Sequence, residues 1–210
     1  MGQLNPHGRC GTAAAMRVTP TELPEVVVVE PQIFGDSRGY FVESWNQARY
    51  RDAGLPALFV QDNLSLSRRG VLRGLHFQYP KAQGKLITVL EGTIFDVAVD
   101  IRAGSPRFGK VVTMTLSGDN KRQIYIPPGF AHGFAVVSES ALFMYKCTEL
   151  YAPEAEGGII WNDPDLGIRW PIEAPALSAR DETFPRLRDL DRSRLSPYQE
   201  NAADGGDARR

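Results

Sequence analysis

Cysteine is nearly absent from this chain. Cys10 and Cys147 are the two in 210 residues, and Cys10 lies in a Gly/Ala-rich leader, so neither a disulfide framework nor a thiolate metal site can be assembled. A reducing, cytoplasmic setting fits that usage. An excess of one charge is lacking too: 24 basic and 25 acidic residues leave a net charge of −1 with no like-charge run. That excludes the electrostatic footprint of a nucleic-acid stripe or a membrane-binding face, so any anionic ligand must be held by local groups. The longest aliphatic run, Val26 to Val29, falls far short of the roughly 20 residues that span a bilayer and reads as a strand. Histidine is scarce as well: only His7, His76 and His132 occur.

A chain of this length that is 42% hydrophobic is expected to form one domain, burying roughly 70% of its unfolded surface. Residues 1–15 have no apolar stretch long enough for a secretory signal and are expected as a disordered leader, which a second start at Met16 would remove. Residues 16–192 are the expected domain. Residues 193–210 are expected as a loose tail, because Asn201 to Arg210 show no apolar periodicity.

From Val26 to about Trp170 the sequence is a series of short runs rich in Val, Ile, Thr and aromatics, divided by Gly/Pro/Asn/Asp clusters such as Gly118-Asp119-Asn120 and Pro127-Pro128-Gly129. This predicts an all-β sandwich or barrel. In Thr93 to Ile101, Phe95, Val97, Val99 and Ile101 share one face and Asp96, Ala98 and Asp100 the other, so one packed and one polar face are expected. One or two helical turns are expected over Trp45 to Ala53, closed by Gly54 and Pro56, and another over Pro185 to Asp191.

His76 lies in Val71-Leu72-Arg73-Gly74-Leu75-His76-Phe77-Gln78, where Arg73 and His76 interrupt an apolar strand. Strict alternation would put the two on opposite faces, but Gly74 inside the strand predicts a bulge that brings them together. Taken alone, His76 reads equally well as a core histidine bonded to a backbone carbonyl. Lys85, after Gln83-Gly84, opens the next strand, Lys85 to Glu91, and alone would be an ordinary turn lysine. Tyr145 and His132 likewise admit both core and site readings. Metal-binding cupins carry two histidines one residue apart, whereas the residue two after His76 is Gln78, so a three-histidine metal centre is excluded. No Gly-rich phosphate loop or dinucleotide fingerprint occurs, which leaves acid/base work by His, Tyr, Lys and carboxylates.

The blocks Phe34-Gly35-Asp36-Ser37-Arg38-Gly39-Tyr40-Phe41, Val60-Gln61-Asp62-Asn63, Arg73 to Gln78, Gln83-Gly84-Lys85, Phe95 to Asp100, Pro128 to Phe134 and Trp161-Asn162-Asp163-Pro164 follow in an order that resembles the dTDP-4-dehydrorhamnose 3,5-epimerase family. The resemblance runs from about Val26 to Asp181. It implies a double-stranded β-helix, the cupin-type jelly roll, with a few short helices, usually as a homodimer and without cofactor or metal. It further implies inversion of C3 and C5 of a dTDP-4-keto-6-deoxyhexose through an enolate. His76 is then the base, Asp181 the carboxylate that orients it, Tyr145 the acid on the opposite face of the sugar, and Lys85 the cation beside the C4 oxygen. Arg38, Glu43, Gln61, Asn63, Arg73, His132, Glu156 and Arg180 match substrate-binding positions, and Asp96 is expected behind His132.

Two departures bear on how the sugar is held. Some family members carry an aromatic residue at Leu150, and Lys is frequent at Arg180. A monofunctional 3- or 5-epimerase is therefore a second reading, a cupin 3,4-ketoisomerase a third, and a non-catalytic sugar-nucleotide-binding cupin a fourth. The last would need no base, acid and orienting carboxylate together.

Overall fold

The computed structural model describes residues 16–200. In chain order the strands are β1 (Arg17–Pro20), β2 (Val27–Glu30), β3 (Ile33–Asp36), β4 (Gly39–Val42), β5 (Gln61–Arg68), β6 (Leu72–Gln78) and β7 (Lys85–Glu91). They continue with β8 (Thr93–Asp100), β9 (Val111–Ser117), β10 (Gln123–Ile126), β11 (Phe130–Val136), β12 (Ser140–Cys147) and β13 (Glu156–Gly158). A six-stranded sheet in the order β1-β2-β10-β7-β12-β5 faces a five-stranded sheet in the order β13-β6-β11-β8-β9, and β3 and β4 form a separate hairpin. This is the jelly-roll barrel. From β5 onward successive strands alternate between the two sheets, with β8 and β9 the exception, so most pairings are long-range.

The one α-helix among the described residues, α1 (Gln47–Asp52), lies inside the expected Trp45 to Ala53 window. Asn46 caps it, accepting from the backbone N–H groups of Ala48 and Arg49, and Gly54 closes it at φ +85°. The helical turn expected over Pro185 to Asp191 is a 3-10 turn at Leu187–Asp189.

Between the sheets lies a core of Ile87, Val89, Ile94, Ala98, Leu116, Ile124, Phe130, Phe134 and Phe143. A second cluster covers the outer face of the five-stranded sheet, where Leu75, Val97, Val99 and Ile101 pack under Ile159, Leu166, Leu187 and Leu195. The alternation in Thr93 to Ile101 is real, but its polar face is no solvent face. Asp96 and Asp100 are fully buried, because that face points into the barrel while the apolar face lies beneath the C-terminal segments. A central strand covered on both sides buries both sets of side chains.

The expected tail also requires correction. Its first residues are docked: Leu195 is 3% exposed, Ala103 N–H donates to the Ser196 carbonyl, Tyr198 N–H donates to the Ala103 carbonyl, and Arg102 stacks on the Tyr198 ring. Leu195 supplies the apolar anchor that fixes this segment. The expectations for residues 1–15 and 201–210 lie outside the described residues. No helix among the described residues is long and apolar enough to cross a membrane.

Candidate active site

Arg73 and His76 reach the same face through a bulge. In the pairing of β6 with β11, His132 stands opposite His76 and Phe134 opposite Arg73, so three steps on β6 match two on β11. Gly74 permits this with φ +135° and no side chain. Both residues then line a cavity of about 480 Å³ with Asn63, Lys85, His132 and Tyr145. Its floor is the edge-to-face pair Phe134 and Phe143, ring centroids 4.6 Å apart, which also belong to the core between the sheets. The opposite wall comes from the six-stranded sheet, where Tyr145 on β12 sits across from Asn63 on β5, and Cys147 across from both Gln61 and Lys85.

His76 has a firm partner. Its Nε2–H donates to Asp181 Oδ1 at 2.6 Å, which leaves Nδ1 carrying the lone pair. The His76 side chain is 30% exposed, toward the cavities, while that of Asp181 is 4% exposed. Burial works to raise the Asp181 pKa, but the hydrogen bond and charge of His76, the Ser178 hydroxyl and the Arg180 charge outweigh it and hold the carboxyl below its ordinary value. Ser178 Oγ also accepts from the Asp181 backbone N–H, tying down the turn that carries the carboxylate.

A second imidazole–carboxylate pair lies beside the first. His132 Nε2–H donates to Asp96 Oδ2 at 2.8 Å, and Asp96 is fully buried. Lys85 is partly open to the cavity yet enclosed by barrel wall, and this desolvation lowers its pKa against the opposing pull of Cys147, Glu156 and Asp96. Burial raises the pKa of Tyr145, with Arg73 acting in the other direction. Burial thus lowers the Lys85 pKa and raises that of Tyr145 in the same cavity. Arg73 is held by Ser67, whose Oγ accepts from both Nε and Nη2 at 3.3 Å.

Two adjoining cavities share His76. One, of about 270 Å³, adds Gln61 and Glu156, and the other, of about 600 Å³, adds Glu156, Arg180 and Asp181. Gln61 Nε2 donates to Asn63 Oδ1 at 3.0 Å, as neighbours on one strand face. Glu156 accepts from the Tyr151 hydroxyl at 2.6 Å and pairs with Arg180. Arg38 and Glu43 are not brought to these cavities. Arg38 pairs with Asp36 in the turn of the β3–β4 hairpin, and Glu43 pairs with Arg49 of α1. Among the described residues, no group of three or more His, Cys, Asp or Glu side chains is placed to hold a metal ion.

Ser67, Ser178, Tyr151 and Phe184 do not stand out in the sequence, yet each touches a site residue. Phe184 lies edge-on to His76, with ring centroids 5.6 Å apart and planes at 70°. The contact of Phe184 with His76 joins distant segments that only the folded barrel brings together, and the shorter-range ones depend on how each turn closes, so local pattern has no signal for them.

This arrangement can remove a proton from a carbon and return one from the opposing sheet, with a cation lining the same cavity for the charge that develops. Comparison with known proteins agrees. A family model described as dTDP-4-dehydrorhamnose 3,5-epimerase matches residues 20–189. The dTDP-4-dehydrorhamnose 3,5-epimerase of Pseudomonas aeruginosa is 54% identical over 178 residues, covering 84% of this chain and 98% of that protein. The crystal structure of a dTDP-6-deoxy-D-glucose-3,5-epimerase from Legionella pneumophila, in complex with dTDP-4-keto-L-rhamnose, superimposes with a TM-score of 0.86 at 51% identity, covering 88% of this chain and all of that one. A 3′-monoepimerase from Streptomyces bikiniensis, in complex with dTDP-quinovose, gives a TM-score of 0.79 at 35% identity, covering 85% of this chain and 92% of that one. With its jelly-roll barrel, its oriented histidine and these relatives, the chain belongs to the dTDP-4-dehydrorhamnose 3,5-epimerase family.

Proposed function

We propose that this epimerase inverts C3 and C5 of dTDP-4-dehydro-6-deoxy-D-glucose, giving dTDP-4-dehydro-L-rhamnose, with His76 as base and Tyr145 as acid. The observation that carries the reading is the His76–Asp181 bond at 2.6 Å on one sheet, with Tyr145 on the other, around one cavity. The C4 ketone acidifies both neighbouring carbons. His76 Nδ1 takes the proton from one of them, and the electrons of the broken C–H bond move to the C4 oxygen as an enolate. Asp181 stabilises the imidazolium formed and holds the ring in its tautomer. The Lys85 ammonium donates to the enolate oxygen, a contribution of roughly 10²- to 10³-fold for one such donor. The Tyr145 phenol then protonates the carbon from the opposite face as the enolate collapses to the ketone. Once His76 has released its proton to solvent and Tyr145 has regained one from it, the same groups act at the second carbon, and no step needs a metal or a nicotinamide.

Arg73 and Arg180 suit forked contacts with the diphosphate, and Gln61, Asn63, His132 and Glu156 suit the polar groups of sugar and nucleotide. The chain acts in the cytoplasm as a homodimer in this reading. Phe34, Tyr40 and Phe41 on the β3–β4 hairpin and Leu64 and Leu66 on β5 are each more than two-fifths exposed, an apolar surface that suits a second copy. Such an association is also the route by which Arg38 and Glu43 could reach a cavity. Sedimentation at working concentration is expected to give twice the chain mass, and a monomer would remove both residues from the substrate set.

Inversion at both carbons is favoured over a single inversion by the higher identity to 3,5-epimerases than to the 3′-monoepimerase. The test is incubation with dTDP-4-keto-6-deoxyglucose in heavy water, reading the position of deuterium by NMR, with His76→Asn alongside. Label at C3 and C5, lost in the variant, is expected. Label at one carbon means a monofunctional epimerase, and no label in the wild type sinks the proposal.

A further inference from the structure

Behind the base lies another cavity, of about 240 Å³, on the far side of β13, lined by Phe77, Tyr79, Pro185, Leu190, Arg194 and the ring of Phe184. Phe184 therefore stands as a wall with this cavity on one side and the His76 imidazole on the other. Three features hold it there. It follows Asp181 by three residues in one tight turn, closed by Glu182 N–H donating to the Ser178 carbonyl and Thr183 N–H to the Arg180 carbonyl. Arg180 stacks over its ring, 5.5 Å from the centroid. The third feature is an absence: Gly158 pairs directly opposite His76, and a Cβ there would lie 2.4 Å from Phe184 Cε2 and 2.5 Å from Cζ. The ring occupies the space that any side chain at the residue paired with the base would fill.

We propose that Phe184, seated on bare Gly158, is a positioning residue that holds the His76 ring in line with Asp181 and closes the back of the pair to water. The proposal rests on the reading of His76 as the base. The hydrogen bond at Nε2 fixes one point of the imidazole but leaves it free to tilt about that bond. An aromatic contact at 70° restricts the tilt, and such pairs prefer edge-to-face geometry over free rotation. Removing the ring joins the side cavity to the site, so the imidazole gains freedom and the Asp181 carboxylate gains water as a competing partner. Because Phe184 touches the base and not the cavity that receives the sugar, the loss falls on the chemical step.

The test is a double-mutant cycle on the full chain with His76→Asn beside it. Phe184→Ala and Gly158→Ala are each expected to lower kcat roughly 10- to 100-fold, the scale of a small misplacement of a catalytic group. KM is expected to move by less than about threefold, since Phe184 does not line the cavity that receives the sugar and Arg180, which loses its ring contact, keeps its pairing with Glu156. Gly158 lies in extended strand backbone, so alanine there is conformationally permitted and acts only through the Phe184 ring it displaces. The double variant is therefore expected to be no slower than Phe184→Ala alone. Wild-type kcat in Phe184→Ala, a loss in KM alone, or additive losses in the double variant would overturn the proposal. Should Phe184→Ala not fold, Gly158→Ala decides, and wild-type kcat there overturns it. Deuterium exchange persisting in His76→Asn would instead remove the base reading, a separate failure.

Discussion

Gly74 in β6 and Gly133 in β11 approach so closely that a Cβ on Gly74 would lie 2.5 Å from Gly133 Cα. The bulge that turns Arg73 and His76 to one face exists because neither strand has a side chain at that crossing. A Cβ on Gly133 would in turn meet Leu75 Cδ2 at 2.8 Å and the Arg73 carbonyl oxygen at 2.9 Å. Gly133→Ala is expected to cost about 1–3 kcal/mol of stability through overpacking, and to lower kcat/KM by shifting the strand that carries the base. Thermal unfolding and steady-state kinetics on one preparation check both.

Desolvation of Lys85 is expected to set the alkaline limit of activity. In the proposed mechanism the ammonium is the active form, and its pKa lies below the ordinary 10.5, so raising pH neutralises it sooner than a free lysine. The alkaline limb of kcat is expected below that value and is expected to move to higher pH in Lys85→Arg, whose guanidinium stays charged. Lys85→Ala is expected to lose roughly 10²- to 10³-fold in kcat. A pH–rate profile of the three proteins separates these outcomes.

Tyr145 titrates in the other direction. Its pKa is raised above the ordinary 10.0, so the phenol keeps its proton through neutral and mildly alkaline pH and is ready to deliver it. Tyr145→Phe leaves the proposed base in place and removes the proposed acid. The variant is expected to wash deuterium into the substrate while forming little inverted product, because the enolate is reprotonated from the face that lost the proton. NMR of the substrate in heavy water reads both quantities.

Asp181 is expected to link catalysis to stability. Asp181→Asn is expected to reduce kcat by roughly 10²- to 10⁴-fold, through loss of the carboxylate that fixes the tautomer and stabilises the imidazolium. Because its folded-state pKa is depressed below 3.8, the carboxylate stabilises the fold above that value, and the contribution is lost as pH falls through the folded-state value. Thermal melts on acidification should show a component in the wild type that Asp181→Asn lacks.

Leu195 anchors the docked C-terminal segment at 3% exposure. Leu195→Ala is expected to destabilise the protein by about 2–4 kcal/mol. A change within about 0.5 kcal/mol in denaturant unfolding, the range of a neutral surface position, would return the segment to the status of a loose tail.

Much of this protein was legible in single segments. Periodicity marked Lys85 to Glu91 and Thr93 to Ile101 as strands, and the structure has strands at Lys85–Glu91 and Thr93–Asp100. A glycine inside an apolar strand pointed to the bulge at Gly74, since a residue without Cβ in a ladder has few other uses. Polar residues set into an apolar run drew attention to Arg73 and His76, whereas Lys85 was singled out only by the family resemblance. Apart from that resemblance, these are local signals, carried by side-chain chemistry and spacing along one strand.

Three features were decided only by the tertiary structure. Alternation in β8 separated two faces but could not say that the polar one turns inward, because the segments that cover the other face lie more than fifty residues away. The distance between His76 and Asp181, 105 residues apart, depends on where the C-terminal turn closes against β6. The place of Phe184 depends on what Gly158 leaves empty. Sequence by itself determined which chemical groups the barrel holds and which strand each rides on, because those follow from composition and local period. Which groups meet, which are buried and which are left outside the cavity, as Arg38 and Glu43 are, follows from long-range packing of segments whose contacts no local pattern encodes.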